Sequence, residues 1–157
     1  MKFSFKDIFI TGANGWLGRQ IVESLVNNDP DVLILDKSVD LKINCLININ
    51  ESSKDLEIHG DKIKIHRGDL RDNKTIKNFL YVSKKGLLIH TAGIIHPNKI
   101  KDFYDINFIV TKKLVNHAIS KKIEKTIVVS SNSPLGCNPN NTHTFNENSE
   151  YNPYMNY

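Results

Sequence analysis

A short glycine-rich loop between an apolar run and a helical pattern is the feature that most constrains this chain. Residues 11–18 have the sequence TGANGWLG, which contains a Gly-x-x-Gly-x-x-Gly spacing. The apolar run 7–11 before it predicts a buried strand, and the apolar residues of 15–27 recur at helical spacing. A glycine loop between a strand and a helix permits a tight turn and points backbone amides of the helix start towards an anion. This context predicts an α/β fold with a diphosphate-binding loop.

Strand and helix patterns alternate along the rest of the chain. Further strands are predicted at 32–36, 62–66, 87–90 and 126–130, and helices at about 73–82 and 102–121. The polar segment 37–61 is predicted to form a short helix or ribbon lying on the fold. The alternation predicts an α/β, doubly wound parallel sheet of Rossmann type.

An acidic residue at the end of the second predicted strand, Asp36, bears on the cofactor. A carboxylate at this place can accept hydrogen bonds from the hydroxyls of an adenosine ribose and would repel a 2′-phosphate. The spacing therefore predicts NAD in preference to NADP. The glycines alone would also be compatible with a turn in an α/β fold that binds no nucleotide.

Composition and charge exclude several other classes of protein. Apolar residues make up 39% of the chain and charged residues 24%, which is typical of globular domains. The cysteines, Cys45 and Cys137, cannot form a disulfide framework and lack the spacing of a metal site. No apolar run is long enough for a membrane helix, and Lys6 and Asp7 interrupt any secretory signal. The net charge of +4 comes from scattered lysines rather than arginine-rich stripes. We therefore expect a cytoplasmic protein with no metal, no nucleic-acid partner and no membrane partner.

Five sequence blocks in the same order resemble the extended short-chain dehydrogenase/reductases, the NAD-dependent epimerase/dehydratase group. The blocks are TGANGWLG at 11–18, GDLRD at 68–72, HTAG at 90–93, NFIVTKKL at 107–114 and SSNSPLG at 130–136. Val110 stands where this family has a glycine, and Leu135 where it commonly has a tyrosine. The resemblance covers essentially the whole chain and implies NAD as the cofactor.

The resemblance also implies which residues contact the cofactor. These are Gly12, Asn14, Gly15, Trp16, Leu17, Gly18, Asp36, Asp69, Leu70, Thr91, Ala92, Gly93 and Asn107. Gly12 would allow the turn, Gly15 a close backbone approach and Gly18 close packing of the helix on the sheet. Asp69 could equally cap a helix, and His90 could be a packed histidine with a backbone partner.

A serine, a tyrosine and a lysine four residues after the tyrosine perform the chemistry in this family. Ser131 matches the serine, with Ser133 as the second candidate, and Tyr157 has the spacing that best fits the tyrosine. The lysine would then fall beyond residue 157, where its presence would support an enzyme. Without the resemblance, these serines would be interpreted as turn residues and Tyr157 as a surface aromatic residue.

The resemblance implies an NAD-binding portion of an oxidoreductase, epimerase or dehydratase that acts on a hydroxyl-bearing substrate such as a nucleotide sugar. Members of this family are longer, so we expect residues 1–157 to be an N-terminal fragment of a dinucleotide-binding domain, inactive alone and without the substrate domain. A homodimer through the helix at 102–121 is compatible with the resemblance. A sterol-dehydrogenase-like reductase and a non-catalytic module that senses NAD or serves assembly are the alternatives.

Overall fold

The fold is described by a computed structural model, which covers residues 4–29, 40–140 and 142–153. The strands are Asp7–Thr11 (β1), Lys42–Ile47 (β2), Ile63–Arg67 (β3), Gly86–His90 (β4) and Lys125–Val128 (β5). The first three helices are Trp16–Asn27 (α1), Lys54–Glu57 (α2) and Asn73–Phe79 (α3). A continuous helix, α4, consists of an α-helical turn Ile100–Asp102, a π-helical stretch Phe103–Val110 and an α-helical stretch Thr111–Ser120. Single 3₁₀ turns occupy Gly60–Lys62 and Ser133–Leu135.

The described strands form one parallel sheet in the order β3-β2-β1-β4-β5. All residues of β1 and β4, the two central strands, are buried, which explains why both are continuous apolar runs rather than alternating ones. The chain leaves β1 to one side towards β2 and β3 and later returns to the other side at β4. The predicted doubly wound parallel sheet is thereby confirmed.

Helices pack on both faces of this sheet. On one face, Val22 and Leu25 of α1 and Leu56 of α2 pack against inward-facing side chains of β1, β2 and β4. On the other face, Phe79 of α3 and Leu114 of α4 belong to a cluster that also contains a phenylalanine of β1 and a leucine of β4. Because both faces are covered, the functional side chains must lie at the ends of the strands.

The strand that pairs with β1 on one side comes from a stretch for which the sequence analysis predicted no strand. The strand next to β1 is Lys42–Ile47, with Asp7 opposite Lys42 and Thr11 opposite Leu46. The prediction of a short helix or ribbon for this stretch is therefore wrong, because its last five residues are all buried within the sheet. The predicted strand 32–36, including Asp36, lies outside the described residues.

The long helix α4 lies close to its predicted position but is wound differently. The predicted range 102–121 overlaps the observed Ile100–Ser120, and the π-helical stretch within it contains Asn107. A π-helical stretch is uncommon and is frequently found at functional sites. In this chain it places Asn107 against the loop that follows β4.

Candidate dinucleotide-binding site

The glycine loop connects the carboxyl end of β1 to the start of α1. Gly12 has a φ of 68°, and its carbonyl oxygen accepts a hydrogen bond from the Gly15 N–H at 2.9 Å. A Cβ atom on Gly12 would lie 2.7 Å from the backbone nitrogen of Ala92, and one on Gly18 would overlap the Gly12 carbonyl oxygen. Glycine is therefore required at Gly12 by its conformation and at both positions by close packing.

The start of α1 offers unpaired donors and one unpaired acceptor. Gly15 is the N-cap of this helix, no side chain caps it, and its first turn contains no acidic residue. The Asn14 amide donates to the Ser52 carbonyl oxygen at 3.0 Å, while its Oδ1 is buried without a hydrogen-bond partner. Free N–H groups at a helix start bind anions, so this arrangement fits a diphosphate group.

Two adjoining cavities follow the carboxyl ends of the strands. One of about 330 Å³ is lined by the glycine loop and by the residues that follow β2 and β3. The other, of about 740 Å³, is lined by α4 and by the residues that follow β5. Residues 91–94, after β4, line both cavities and join them into one crevice. The crevice thus crosses the sheet at β1 and β4, where the strand order changes direction, which is the usual ligand site of such folds.

The segment after β2, residues 48–55, is a loop that ends in the first residues of α2, and we call it the 48–55 loop. It is held against the crevice from three directions. Asn14 binds its Ser52 carbonyl, Arg19 of α1 forms an ion pair with Asp55, and Arg67 of β3 donates to the Glu51 carbonyl at 2.6 Å. These contacts fix the 48–55 loop as one wall of the smaller cavity.

Two polar side chains of the 48–55 loop, Asn48 and Glu51, line this cavity. The backbone N–H of Asn48 donates to Oε2 of Glu51 at 3.1 Å, which orients the carboxylate. The sequence analysis missed both residues because it did not recognise β2 as a strand. The end of that strand is the one signal that could have revealed them.

Asp69, after β3, has its carboxylate bound by its neighbour Arg71. The Arg71 Nε lies 3.0 and 2.9 Å from the two carboxylate oxygens of Asp69, and the Arg71 backbone N–H donates to Oδ1 at 2.8 Å. The hydrogen bond from Arg71 lowers the pKa of Asp69, so this side chain is ionised at neutral pH. The residue that caps α3 is Asp72 rather than Asp69, since its side chain accepts from the backbone N–H groups of Lys74 and Thr75.

The loop after β4 is anchored by hydrogen bonds from two neighbouring elements. The Thr91 hydroxyl donates to the Thr11 carbonyl oxygen of β1 at 2.8 Å. Asn107 of α4 accepts from the Ile94 N–H and donates to the Ile94 carbonyl, both at 2.9 Å. Both polar atoms of the Asn107 side chain are thus used to hold the loop in place.

His90, at the end of β4, is 2% exposed and lies between two threonine hydroxyls. Its Nδ1 is 2.6 Å from the Thr11 Oγ1, and its Nε2 is 2.9 Å from the Thr111 Oγ1. Burial lowers the pKa of His90 to about 4, so the ring is neutral at physiological pH. His90 therefore packs at the wall of the larger cavity, with hydroxyl rather than backbone partners, and connects β1 to α4.

The predicted serines lie together in the larger cavity. The Ser131 Oγ accepts from the Ser133 N–H at 3.1 Å and lies 2.9 Å from the Ser133 Oγ. Both side chains are half-buried and line the cavity with residues 90–95. Tyr157, the predicted tyrosine, lies outside the described residues.

Most of the predicted cofactor residues lie along this crevice. The predicted residues that line it are Gly12, Gly15, Asp69, Leu70, Thr91, Ala92, Gly93, Asn107 and Ser131. Asn14, Leu17 and Gly18 lie in the glycine loop or first turn of α1, next to the crevice. Trp16 is 78% exposed, so only its backbone amide fits the predicted role.

A parallel sheet covered on both faces, with a glycine loop and an uncapped helix start at its switch point, defines a dinucleotide-binding fold of Rossmann type. The sequence matches the NAD dependent epimerase/dehydratase family over residues 8–157, and the chain belongs to this family. The resemblance seen in the five sequence blocks is thereby confirmed.

Relatives and solved structures agree with this assignment. The chain is 35% identical over 150 residues to the uncharacterized protein y4nL of Sinorhizobium fredii, covering 96% of this chain and 41% of that protein. It is 30% identical over 139 residues to the mouse (Mus musculus) dTDP-D-glucose 4,6-dehydratase, covering 83% and 37%. The UDP-Glc/GlcNAc 4-epimerase of Campylobacter jejuni has the same fold, with a TM-score of 0.77 at 21% identity, covering 97% of this chain and 44% of that one.

The chain spans about two fifths of the length of these curated relatives. Within residues 4–29, 40–140 and 142–153, no helix is both long enough and apolar enough to cross a membrane.

Proposed function

We propose that this chain binds NAD in the crevice and forms the cofactor-binding part of a cytoplasmic enzyme that acts on a nucleotide sugar. The observation that carries the proposal is the glycine loop at the switch point, where the uncapped start of α1 adjoins the buried, unpaired Oδ1 of Asn14. Membership of an NAD-dependent family supports the cofactor. The names of the mouse relative and of the Campylobacter structure, both concerned with nucleotide sugars, support the substrate class.

In our proposal different residues of the crevice contact different parts of the cofactor. In our proposal the amides of Trp16 and Leu17 bind the diphosphate, and Asn14 adds an acceptor for a hydroxyl group or a water. Leu70 packs along the adenine, and residues 91–93 line the passage towards the nicotinamide end. Asp69 orders the adenine end together with Arg71, which already neutralises its carboxylate.

Two carboxylates are candidates for binding the adenosine ribose. The sequence predicts Asp36, and this stays a prediction. The structure adds Glu51, whose carboxylate lines the smaller cavity beyond the end of β2. A carboxylate here accepts hydrogen bonds from ribose hydroxyls and repels a 2′-phosphate, so either residue would favour NAD over NADP.

The reacting end lies in the larger cavity. When bound, NAD supplies a nicotinamide C4 that exchanges a hydride with a hydroxyl-bearing carbon. We propose that Ser131 holds the substrate oxygen by a hydrogen bond and that Tyr157 takes the hydroxyl proton. Asn107 acts as a positioning residue, because it fixes the loop 91–94 that lines both cavities.

Binding of NADH tests the proposal directly, because Trp16 is the single tryptophan and begins α1 beside the glycine loop. We expect NADH to quench Trp16 fluorescence by energy transfer. Gly12→Ala should weaken NADH binding about tenfold or more, since the substitution strains a left-handed backbone position and meets Ala92. Gly60→Ala is the matched control, because Gly60 also has a positive φ of 54° but has nothing within 4 Å of an added Cβ. Absence of NADH binding, or equal binding by both variants, would contradict the proposal.

Comparing NADH with NADPH separates the two ribose candidates. Glu51→Gln should reduce the preference for NADH if Glu51 binds the ribose, and Asp36→Asn should do so if Asp36 does. Glu23→Gln, on the exposed face of α1, removes a carboxylate of equal charge away from the crevice. Titration calorimetry of the unchanged chain and the three variants gives the eight affinities. A preference unaffected by either Glu51→Gln or Asp36→Asn would exclude both residues from cofactor selection.

A further inference from the structure

Two turns of matching sequence lie at the amino ends of the strands, opposite the crevice. The turn before β4 has the sequence VSKK at 82–85, and the turn after α4 has the sequence ISKK at 119–122. The Ser83 N–H donates to the Lys121 carbonyl oxygen at 3.2 Å, so the two turns lie side by side. We call residues 82–85 and 119–122 together the twin-lysine surface.

The twin-lysine surface combines positive charge with exposed aliphatic side chains. Val82 is 61% exposed and Ile119 is 69% exposed, and one serine separates each of them from its lysine pair. A further lysine joins them, because the Lys6 N–H before β1 donates to the Lys85 carbonyl oxygen at 2.8 Å. Exposed aliphatic side chains beside basic residues provide the combination of apolar contact and positive charge by which surfaces bind at a lipid interface.

The lysines of this surface outnumber the carboxylates next to them. Within segments 80–86 and 118–125 the one acidic residue is Glu124. Asp7, the acidic residue of β1, is buried and accepts hydrogen bonds from Tyr81 and Ser83, each at 2.6 Å. Lysines 84, 85, 121 and 122 form no ion pair within the part of the chain that the structure describes.

We propose that the twin-lysine surface docks on an anionic lipid bilayer, with its lysines on the headgroups and Val82 and Ile119 in the interface. Juxtaposed lysines attract anionic leaflets, and the aliphatic side chains add apolar contact. The sequence analysis expected no membrane partner because the lysines are scattered along the chain. The fold brings these lysines together on one surface. The crevice lies at the carboxyl ends of the strands, so it stays open to the cofactor when the twin-lysine surface faces a bilayer.

The same surface is less suited to nucleic acid. Single-stranded nucleic acids are bound by basic grooves with aromatic residues on which bases stack. Tyr81, the aromatic residue that precedes Val82, packs its ring against Phe9 at 4.8 Å and donates its hydroxyl to Asp7. Its ring is therefore already engaged within the fold.

Vesicle binding tests the proposal. The full chain is sedimented with phosphatidylcholine vesicles that contain or lack phosphatidylserine. We expect binding only with phosphatidylserine, weaker at higher salt, and reduced about tenfold or more in Lys84→Glu/Lys85→Glu. Val82→Ser/Ile119→Ser should weaken binding severalfold while leaving its salt dependence unchanged.

The matched control is Lys74→Glu/Lys112→Glu. Both residues are exposed and lie outside the twin-lysine surface, Lys74 near the start of α3 and Lys112 within α4, and the pair gives the same change of net charge. This control should bind vesicles as the unchanged chain does, and thermal unfolding of every variant verifies its fold. No binding, equal binding to neutral vesicles, or an equal loss in the control would overturn the proposal. Tighter binding to a single-stranded RNA that competes with the vesicles would overturn it too, and would assign the surface to nucleic acid.

Discussion

The two halves of the crevice are held in place to very different degrees. On the β2 side, five of the six strand residues are buried, and side chains from the glycine loop, α1 and β3 tie the 48–55 loop to the body of the fold. On the β5 side, no strand residue is buried, and Ser131 has its partner within its own turn, at Ser133. The comparison teaches that buried strand residues and long-range side-chain contacts fix the half proposed for adenosine and diphosphate. The half that carries the proposed chemistry is held by backbone hydrogen bonds to β4 and to Asn152 and by the contacts within its own turn.

Truncating one isoleucine in each half measures this difference most directly. Ile10 of β1 is 0% exposed and Ile127 of β5 is 42% exposed. We expect Ile10→Ala to lower the free energy of unfolding by about 2–5 kcal/mol, because it leaves a cavity between packed neighbours. Ile127→Ala should cost about 1 kcal/mol or less, because water already reaches that side chain. Urea unfolding gives both values, and equal losses would show that the two halves are packed alike.

The junction of the two halves is sensitive to acid. The pKa of His90 is lowered by burial to about 4 in the folded chain, against 6.5 for an ordinary histidine. Between these values the unfolded chain binds a proton that the folded chain does not, so stability falls as the pH falls from about 7 towards 4. A pKa difference of this size corresponds to about 3 kcal/mol at most.

Urea unfolding across this pH range measures the slope. His90→Gln should flatten it, whereas His96→Gln, which changes an exposed histidine, should leave it unchanged. An unaltered slope in His90→Gln would mean that His90 is protonated in the fold.

Releasing the loop 91–94, which lines both cavities, should have a smaller effect on stability. Asn107→Ala removes the two hydrogen bonds to Ile94 and leaves half-buried backbone groups unpaired, at a cost of about 1–3 kcal/mol. It should also weaken NADH binding severalfold, since residues 91–94 line both cavities. Asn116→Ala, on the exposed side of α4, is the control and should lower neither the free energy of unfolding nor the affinity for NADH. Thermal unfolding and NADH titration check both, and unchanged binding in Asn107→Ala would remove Asn107 from the positioning role.

The local elements were predictable because each has its own signal. The β1 run, the glycine loop and α1 follow one another in the sequence, and β3, α3, β4 and α4 were found within a few residues of their observed bounds. The exception is β2, because its apolar run, 42–47, lies within a largely polar segment, 37–61, and closely follows another apolar run, 32–36. A strand buried on both faces shows no alternation of polar and apolar residues, so the pattern alone could not decide which run pairs with β1.

The sequence by itself determined the class of fold, the glycine loop and the family, because these depend on residues close together in the chain and on motifs in a fixed order. The tertiary structure decided that β2 is Lys42–Ile47, that Glu51 faces the crevice, and that two lysine turns distant in sequence lie side by side. These features depend on which strands become neighbours, and that choice is made by the packing of the whole sheet rather than by any local preference.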